Sequence, residues 1–181
     1  MDQSLLDSLR KGGYILYARH GEATVGSDLP GFSFQSCLTQ RNLSETGRWQ
    51  AVSYGDILRS LRIPVQYPIV SSPFCRNIET AQLAFGTVSV GVDPFLFEVY
   101  RLSGNLPDEE RNRILNGLQS RLKTAPDQGW NQVIIGHSFP AQTGLGEIPN
   151  MGTVIVKPGG AGNGYQVVRR LSLSELRAIG N

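Results

Sequence analysis

Two cysteines, Cys37 and Cys75, are all the sulfur chemistry this 181-residue chain offers apart from two methionines. They form neither a close pair nor part of a zinc-type cluster, so the expectation is two reduced thiols without a role in a cytoplasmic protein. Long apolar runs are missing as well: nothing approaches the roughly 20 residues that cross a bilayer. The opening "MDQSLLDSLRKGGY" breaks its leucines with Asp2, Asp7, Arg10 and Lys11, which a signal peptide does not do. No membrane partner is expected, and the chain is expected to stay in the cytoplasm. There is no basic tract either. Seventeen Lys and Arg stand against fifteen Asp and Glu, a formal charge of +2 spread along the chain. That excludes a nucleic-acid surface and leaves a small anion as the kind of ligand to look for. Carboxylates and histidines do not cluster, so no metal site and no cofactor is expected. With no internal repeat and no linker, residues 1–181 read as one domain.

What is present is an alternation of strands and helices. Leu5, Leu6 and Leu9 mark a short helix that Gly12 and Gly13 end. "YILYA" is a buried strand, and Gly21 to Asn42 an ordered loop rich in Gly, Pro, Ser and Phe. Ser44 caps a helix carrying Ala51, Tyr54, Leu58 and Leu61 at helical spacing. After the strand "YPIVSS", Ser72 as cap and Pro73 at the first position open a helix with Phe74, Ile78, Ala81 and Phe85 on its apolar face. Arg76 falls in its first turn, off that face. "TVSVGV" is the next strand. A helix from about Pro107 to Lys123 follows, with Leu115, Leu118 and Leu122 on one side, and then the strand "QVIIGHS". "TVIVKP" and "YQVVRRL" flank "GGAGNG", which reads as a hairpin and fails the spacing of dinucleotide and P-loop motifs. The order predicts an α/β fold, a mostly parallel central sheet covered by helices on both faces.

In such sheets ligands bind beyond the carboxyl ends of the strands. Three predicted strand ends carry distinctive side chains: Arg19 with His20, Ser72 with Arg76 just beyond, and His137. The chain has only these two histidines. Two guanidinium forks can hold a phosphoryl dianion from different sides. An unprotonated imidazole beside it can attack in line, and a second, protonated one can stabilise the transferring oxygens. Positioning and electrostatics do most of the work in phosphoryl transfer, so such a pocket can act without a metal. A cysteine nucleophile is unsupported, because Leu43 and Ala81 occupy the positions six residues after the cysteines, where an arginine would be needed. An arginine at a helix N-terminus opposes the helix dipole unless an anion is near, which favours a functional Arg76.

The stretches "ARHGEA", "LSETGRWQA", "SSPFCRNIETA" and "IIGHS", in that order between Tyr14 and Ser138, resemble the histidine phosphatase superfamily. This family includes the cofactor-dependent phosphoglycerate mutases and many small phosphatases. The resemblance implies a phosphoglycerate mutase-like three-layer α/β/α sandwich, with His20 as the phosphorylated nucleophile and Arg19, Arg76 and His137 completing the catalytic pocket. It further implies an acid for the leaving oxygen, for which "FLFEVYRLSG" offers Glu98, with Asp108 and Glu109 as substitutes. Ser138 follows the second histidine where another branch has its acid, and it joins Arg19 and Arg76 among the substrate-binding candidates, with Glu22 as support. The stretch "FPAQTGLGEIPNMG" departs from relatives that continue into a helix; its prolines and glycines predict a loop lining the substrate side.

The reaction expected is hydrolysis of a small-molecule phosphomonoester. The alternatives are a mutase returning the phosphoryl group to substrate, a phosphatase of phosphohistidine on proteins that needs no Glu98, and a phosphate-binding module without turnover. Trp49 and Trp130 are expected as partly buried packing residues, and Phe32 and Phe34 as pocket wall or loop anchor.

Overall fold

The computed structural model describes residues 2–87, 89–159 and 164–181. The strand register begins with the apolar run near the N-terminus. β1 (Ile15–Arg19) is the fourth strand of a six-stranded sheet whose order is β3-β2-β4-β1-β5-β6. β2 (Ile69–Ser71), β3 (Val90–Val92) and β4 (Gln132–Gly136) run parallel with it. β5 (Thr153–Pro158) runs antiparallel to β1, and β6 (Tyr165–Leu171) pairs antiparallel with β5. The hairpin read at "GGAGNG" closes through Gly159 N–H donating to Gly164 O at 2.7 Å, while residues 160–163 lie outside the described residues, as does Val88 within "TVSVGV".

Period-two alternation divides β1 between two cores. Leu16 and Ala18 join Leu9, Ala51, Tyr54, Leu58 and Ala81 on one face, under α1 (Gln3–Lys11), α2 (Glu45–Ser60), α3 (Cys75–Phe85) and α6 (Leu173–Ala178). Ile15 and Tyr17 join Leu96, Val99, Ile114, Leu118 and Leu122 on the other, under α4 (Phe95–Arg101) and α5 (Asp108–Leu122). This is the three-layer α/β/α architecture expected. Both faces of β1 are dry, which explains its unbroken apolar run. Among the described residues no helix is long and apolar enough to cross a membrane.

Several local expectations need correction. α4 and α6 are short and carry few periodic positions, so the sequence reading passed over them. α3 starts at Cys75, and its N-terminus has no side-chain cap; Ser72 does not serve there. The buried face of α3 is wider than the apolar one predicted: Phe74 and Ala81 are buried and Phe85 packs on the core as expected, but Ile78 is only partly buried, while Arg76, Asn77, Thr80 and Ala84 are buried too. Arg76 is buried against Asp28 and the Arg41 carbonyl of the loop after β1, while Asn77 and Thr80 hold the chain at the ends of β4 and β1. Asn77 donates to the carbonyls of Ile135 and Gly136, and Thr80 Oγ1 accepts from Gly21 N–H at 3.2 Å. Trp49 and Trp130 are exposed, not partly buried packing residues.

The largest correction concerns the cysteines. Cys37 and Cys75 form a disulfide with their Cα atoms 5.8 Å apart. The loop after β1 doubles back to lay a single 3-10 turn, Cys37–Thr39, against the N-terminus of α3, where Gln40 Oε1 accepts from Cys75 N–H at 2.8 Å. Spacing along the chain carries no signal of that return. The expectation of reduced thiols fails, and it takes with it the support it lent to a cytoplasmic location.

Candidate active site

The site forms where β1, β2 and β4 end side by side. Backbone pairing sets Arg19 opposite Gly136, and His20 N–H then donates to Gly136 O at 3.2 Å. The first residues past each strand, His20 and His137, thus become neighbours, their ring centroids 5.6 Å apart and their planes inclined by 71°. Two glycines make this approach possible. Gly47, in the first turn of α2, lies so close under Glu22 that a Cβ there would run into the Glu22 carbonyl. At Gly136, a Cβ would strike the Tyr17 hydroxyl, which accepts from His137 N–H and donates to His137 O, both at 2.9 Å. Tyr17 therefore fixes the backbone that carries the second imidazole.

Each imidazole is almost fully buried and hydrogen-bonded in a defined way. Nδ1 of His20 lies 2.7 Å from Gly21 O, and since a carbonyl only accepts, Nδ1 carries the proton and Nε2 keeps its lone pair. Burial, then the charge of Arg76, lowers the pKa of His20 to about 3. His137 is shifted down too, by burial first and then by His20, Arg76 and Arg19. Without an anion in the pocket, burial and the neighbouring positive charges thus favour the neutral form of both rings, whereas the protonated second imidazole expected from the sequence belongs to the phosphoryl-bound state. Nε2 of His137 sits 2.7 Å from Ser72 Oγ, so the serine read as a helix cap is a partner of the second histidine.

Arg76 is 3% exposed and meets the carboxylate of Asp28, itself 7% exposed, through Nη1 at 2.8 Å and Nη2 at 3.3 Å. Its Nη1 also donates to Arg41 O, and its guanidinium lies 4.2 Å from the centroid of the Phe74 ring. The Tyr100 hydroxyl donates to Asp28 at 3.1 Å. Arg19 donates through Nη1 to Ile148 O at 2.9 Å. Burial lowers the pKa of both Arg19 and Arg76, and the charge of Arg41 adds to the effect.

The other predicted residues occupy distinct places. Ser138 Oγ accepts from Ile148 N–H, and the residue lines a cleft of about 700 Å³ next to Arg19, walled by Pro140, Glu147 and Pro149. The stretch after His137 is a loop, as expected, and forms one side of that cleft. Glu22 takes a hydrogen bond from Ser44 Oγ at 2.9 Å and fastens the loop to the start of α2. Glu98 projects from α4 into ion pairs with Arg101 at 2.5 Å and Arg113 at 3.6 Å. Asp108 and Glu109 lie in the first turn of α5. Phe32 and Phe34 pack on Phe74 and Phe97, so they anchor the loop and wall the site together.

The sequence pattern of the histidine phosphatase superfamily, branch 1, matches residues 15–141, from β1 to just beyond His137. The chain belongs to that superfamily. Solved structures agree on the fold. The protein histidine phosphatase SixA, determined with tungstate, superposes with a TM-score of 0.58 at 15% identity, covering 90% of this chain and 99% of its own. A putative alpha-ribazole-5'-P phosphatase from Escherichia coli gives 0.57 at 14% identity over 90% and 97%. The mycobacterial glucosyl-3-phosphoglycerate phosphatase gives 0.55 at 17% identity over 87% and 97%. A sequence search of curated proteins gives no match. Sequence reasoning missed Asp28, Arg41 and Tyr100, and read Ser72 as a helix cap. Only Ser72, at a strand end three residues before a helix with an arginine in its first turn, left a usable signal.

Proposed function

We propose that this chain hydrolyses phosphomonoesters through a phosphorylated His20. The observation that carries the reading is the His20 Nδ1 contact with Gly21 O, which leaves Nε2 as the unprotonated nitrogen of a neutral ring among arginines. Nε2 attacks phosphorus, the Nε2–P bond forms as the bond to the leaving oxygen breaks, and the Gly21 carbonyl stabilises the charge the ring acquires. Water then attacks phosphorus, phosphate departs and His20 returns to its neutral form. Arg19 and Arg76 hold the non-bridging oxygens, and a dianion between the rings supplies the negative charge that favours the imidazolium form of His137. Guanidinium and imidazole groups supply the charge stabilisation, so the scheme needs no metal. Ser138 orients the substrate at the cleft, and Glu22 supports the loop.

Glu98 is the proposed donor of the leaving-group proton for alkyl esters, for which it must leave Arg101 and Arg113. Those ion pairs favour a second reading, a phosphohistidine substrate, whose nitrogen leaving group needs no such donor.

Incubation with an aryl phosphate tests the reading. Phosphate release and an acid-labile phosphoryl adduct on His20 are expected, with turnover falling on the order of a thousand-fold or more in His20→Ala. Normal turnover in that variant refutes the nucleophile. Glu98→Gln is expected to slow alkyl esters and spare a phosphoramidate; equal slowing of both removes the second reading.

A further inference from the structure

Three arginines share one feature around the histidine pair. The Nε atoms of Arg19, Arg41 and Arg76 are each buried and without a hydrogen-bond partner. Their described hydrogen bonds run through other nitrogens: Arg19 Nη1 to Ile148 O, Arg41 Nη1 to Gly26 O at 3.3 Å, and Arg76 through Nη1 and Nη2 to Asp28. Asp28 therefore takes the end of the Arg76 fork and leaves its Nε edge unoccupied. A buried N–H without an acceptor costs on the order of 1–3 kcal/mol, more when the donor is charged. Three such donors within one cluster are explained if an anion provides the acceptors.

The charges point the same way. Arg41 acts electrostatically on Arg19, His20, Arg76 and Tyr100, so it stands within the same cluster. The carboxylate found to interact with these arginines is Asp28, and with both imidazoles neutral the group carries two net positive charges. A phosphomonoester at neutral pH carries two negative charges on three terminal oxygens; a phosphodiester carries one on two.

We propose that Arg41 is a third phosphoryl-binding arginine, which with Arg19 and Arg76 selects a dianionic phosphomonoester over a monoanionic diester. This deepens the hydrolase reading and rests on its phosphoryl pocket. The position of Arg41 is set by Asp28, whose carboxylate accepts from Arg41 N–H at 2.9 Å while it binds Arg76, and Arg76 in turn donates to Arg41 O. One aspartate thus holds two of the three arginines in register.

The test is calorimetric binding of inorganic phosphate to wild type, Arg41→Gln and Arg41→Lys between pH 6 and 8, with dimethyl phosphate as the monoanionic comparison. Wild type is expected to bind phosphate more tightly as the dianion becomes the dominant species, and to bind dimethyl phosphate weakly. Arg41→Gln is expected to lose roughly ten- to a hundred-fold in phosphate affinity, the scale of a charged hydrogen bond. It should lose far less for dimethyl phosphate, and Arg41→Lys should fall between. Because Arg41→Gln can disturb the loop, its melting temperature without ligand is compared with wild type, and Arg41→Lys serves where it is lowered. Wild type binding phosphate while both variants match it overturns the role of Arg41 and leaves the hydrolase reading intact. Wild type failing to bind phosphate at all overturns the pocket and both readings with it. Equal losses for phosphate and dimethyl phosphate overturn the selectivity.

Discussion

The nucleophilic role proposed for His20 requires an unprotonated reacting nitrogen, and burial favours that form at a cost in stability. The folded-state pKa of His20, about 3, lies below its unfolded value of 6.5, and that of His137 is displaced in the same direction. As pH falls below about 6.5 the unfolded chain takes up protons that the folded chain refuses, so the stability contributed by neutral burial is full above that value and is lost toward pH 3. Each histidine can remove up to about 1.4 kcal/mol per pH unit across this window. Urea denaturation in phosphate-free buffer at pH 7.5, 6 and 5 is expected to show falling stability, with a shallower decline in His20→Asn. A flat profile would mean that the rings protonate in the folded protein. Carboxylates such as Asp28, whose pKa is lowered below 3.8 in spite of burial by Arg76 and other contacts, enter only at lower pH.

The elements that aim these residues were partly legible. β1 and β4 announce themselves by apolar runs ending in histidine, and the caps and periodicity of α2 place "LSETG" at a helix start. The face of α3 could not be read this way. Its apolar residues gave one stripe, yet tertiary demand also buried Arg76, Asn77 and Thr80, which serve a loop and strand ends distant in sequence. Asp28 and the cysteine pair escaped for a related reason: an irregular loop has no period, and contacts such as Asp28 with Arg76 depend on where it returns. The meeting of β1 and α2 offers a sharp test. Gly47→Ala puts a methyl group against the Glu22 carbonyl, and backbone atoms cannot rotate aside as a side chain can. Destabilisation of about 1–3 kcal/mol by denaturant titration is expected, as for other overpacked sites. Activity should fall further than stability explains, since the displaced segment is the one that carries His20. A variant indistinguishable from wild type in both would show that the contact relaxes freely.

At the scale of the whole molecule, residues from β1, the following loop, α3 and the end of β4 converge at one end of the sheet. The formal excess of two positive charges over the chain equals the excess gathered around the histidines. Such a concentration draws anions from solution and pays a penalty in self-repulsion that other bonds must offset. The Cys37–Cys75 bond joins the loop bearing Asp28 and Arg41 to the helix bearing Arg76, next to Arg76 itself. Adding dithiothreitol to a preparation unties this corner. A lower melting point is expected, from the loss of about 2–4 kcal/mol of chain constraint, together with weaker phosphate affinity. Identical melting curves and affinities with and without the reagent would show the crosslink to be idle. Where they differ, two purifications of the same polypeptide, one in thiol buffer and one in air, would yield catalysts with different constants, each correctly measured.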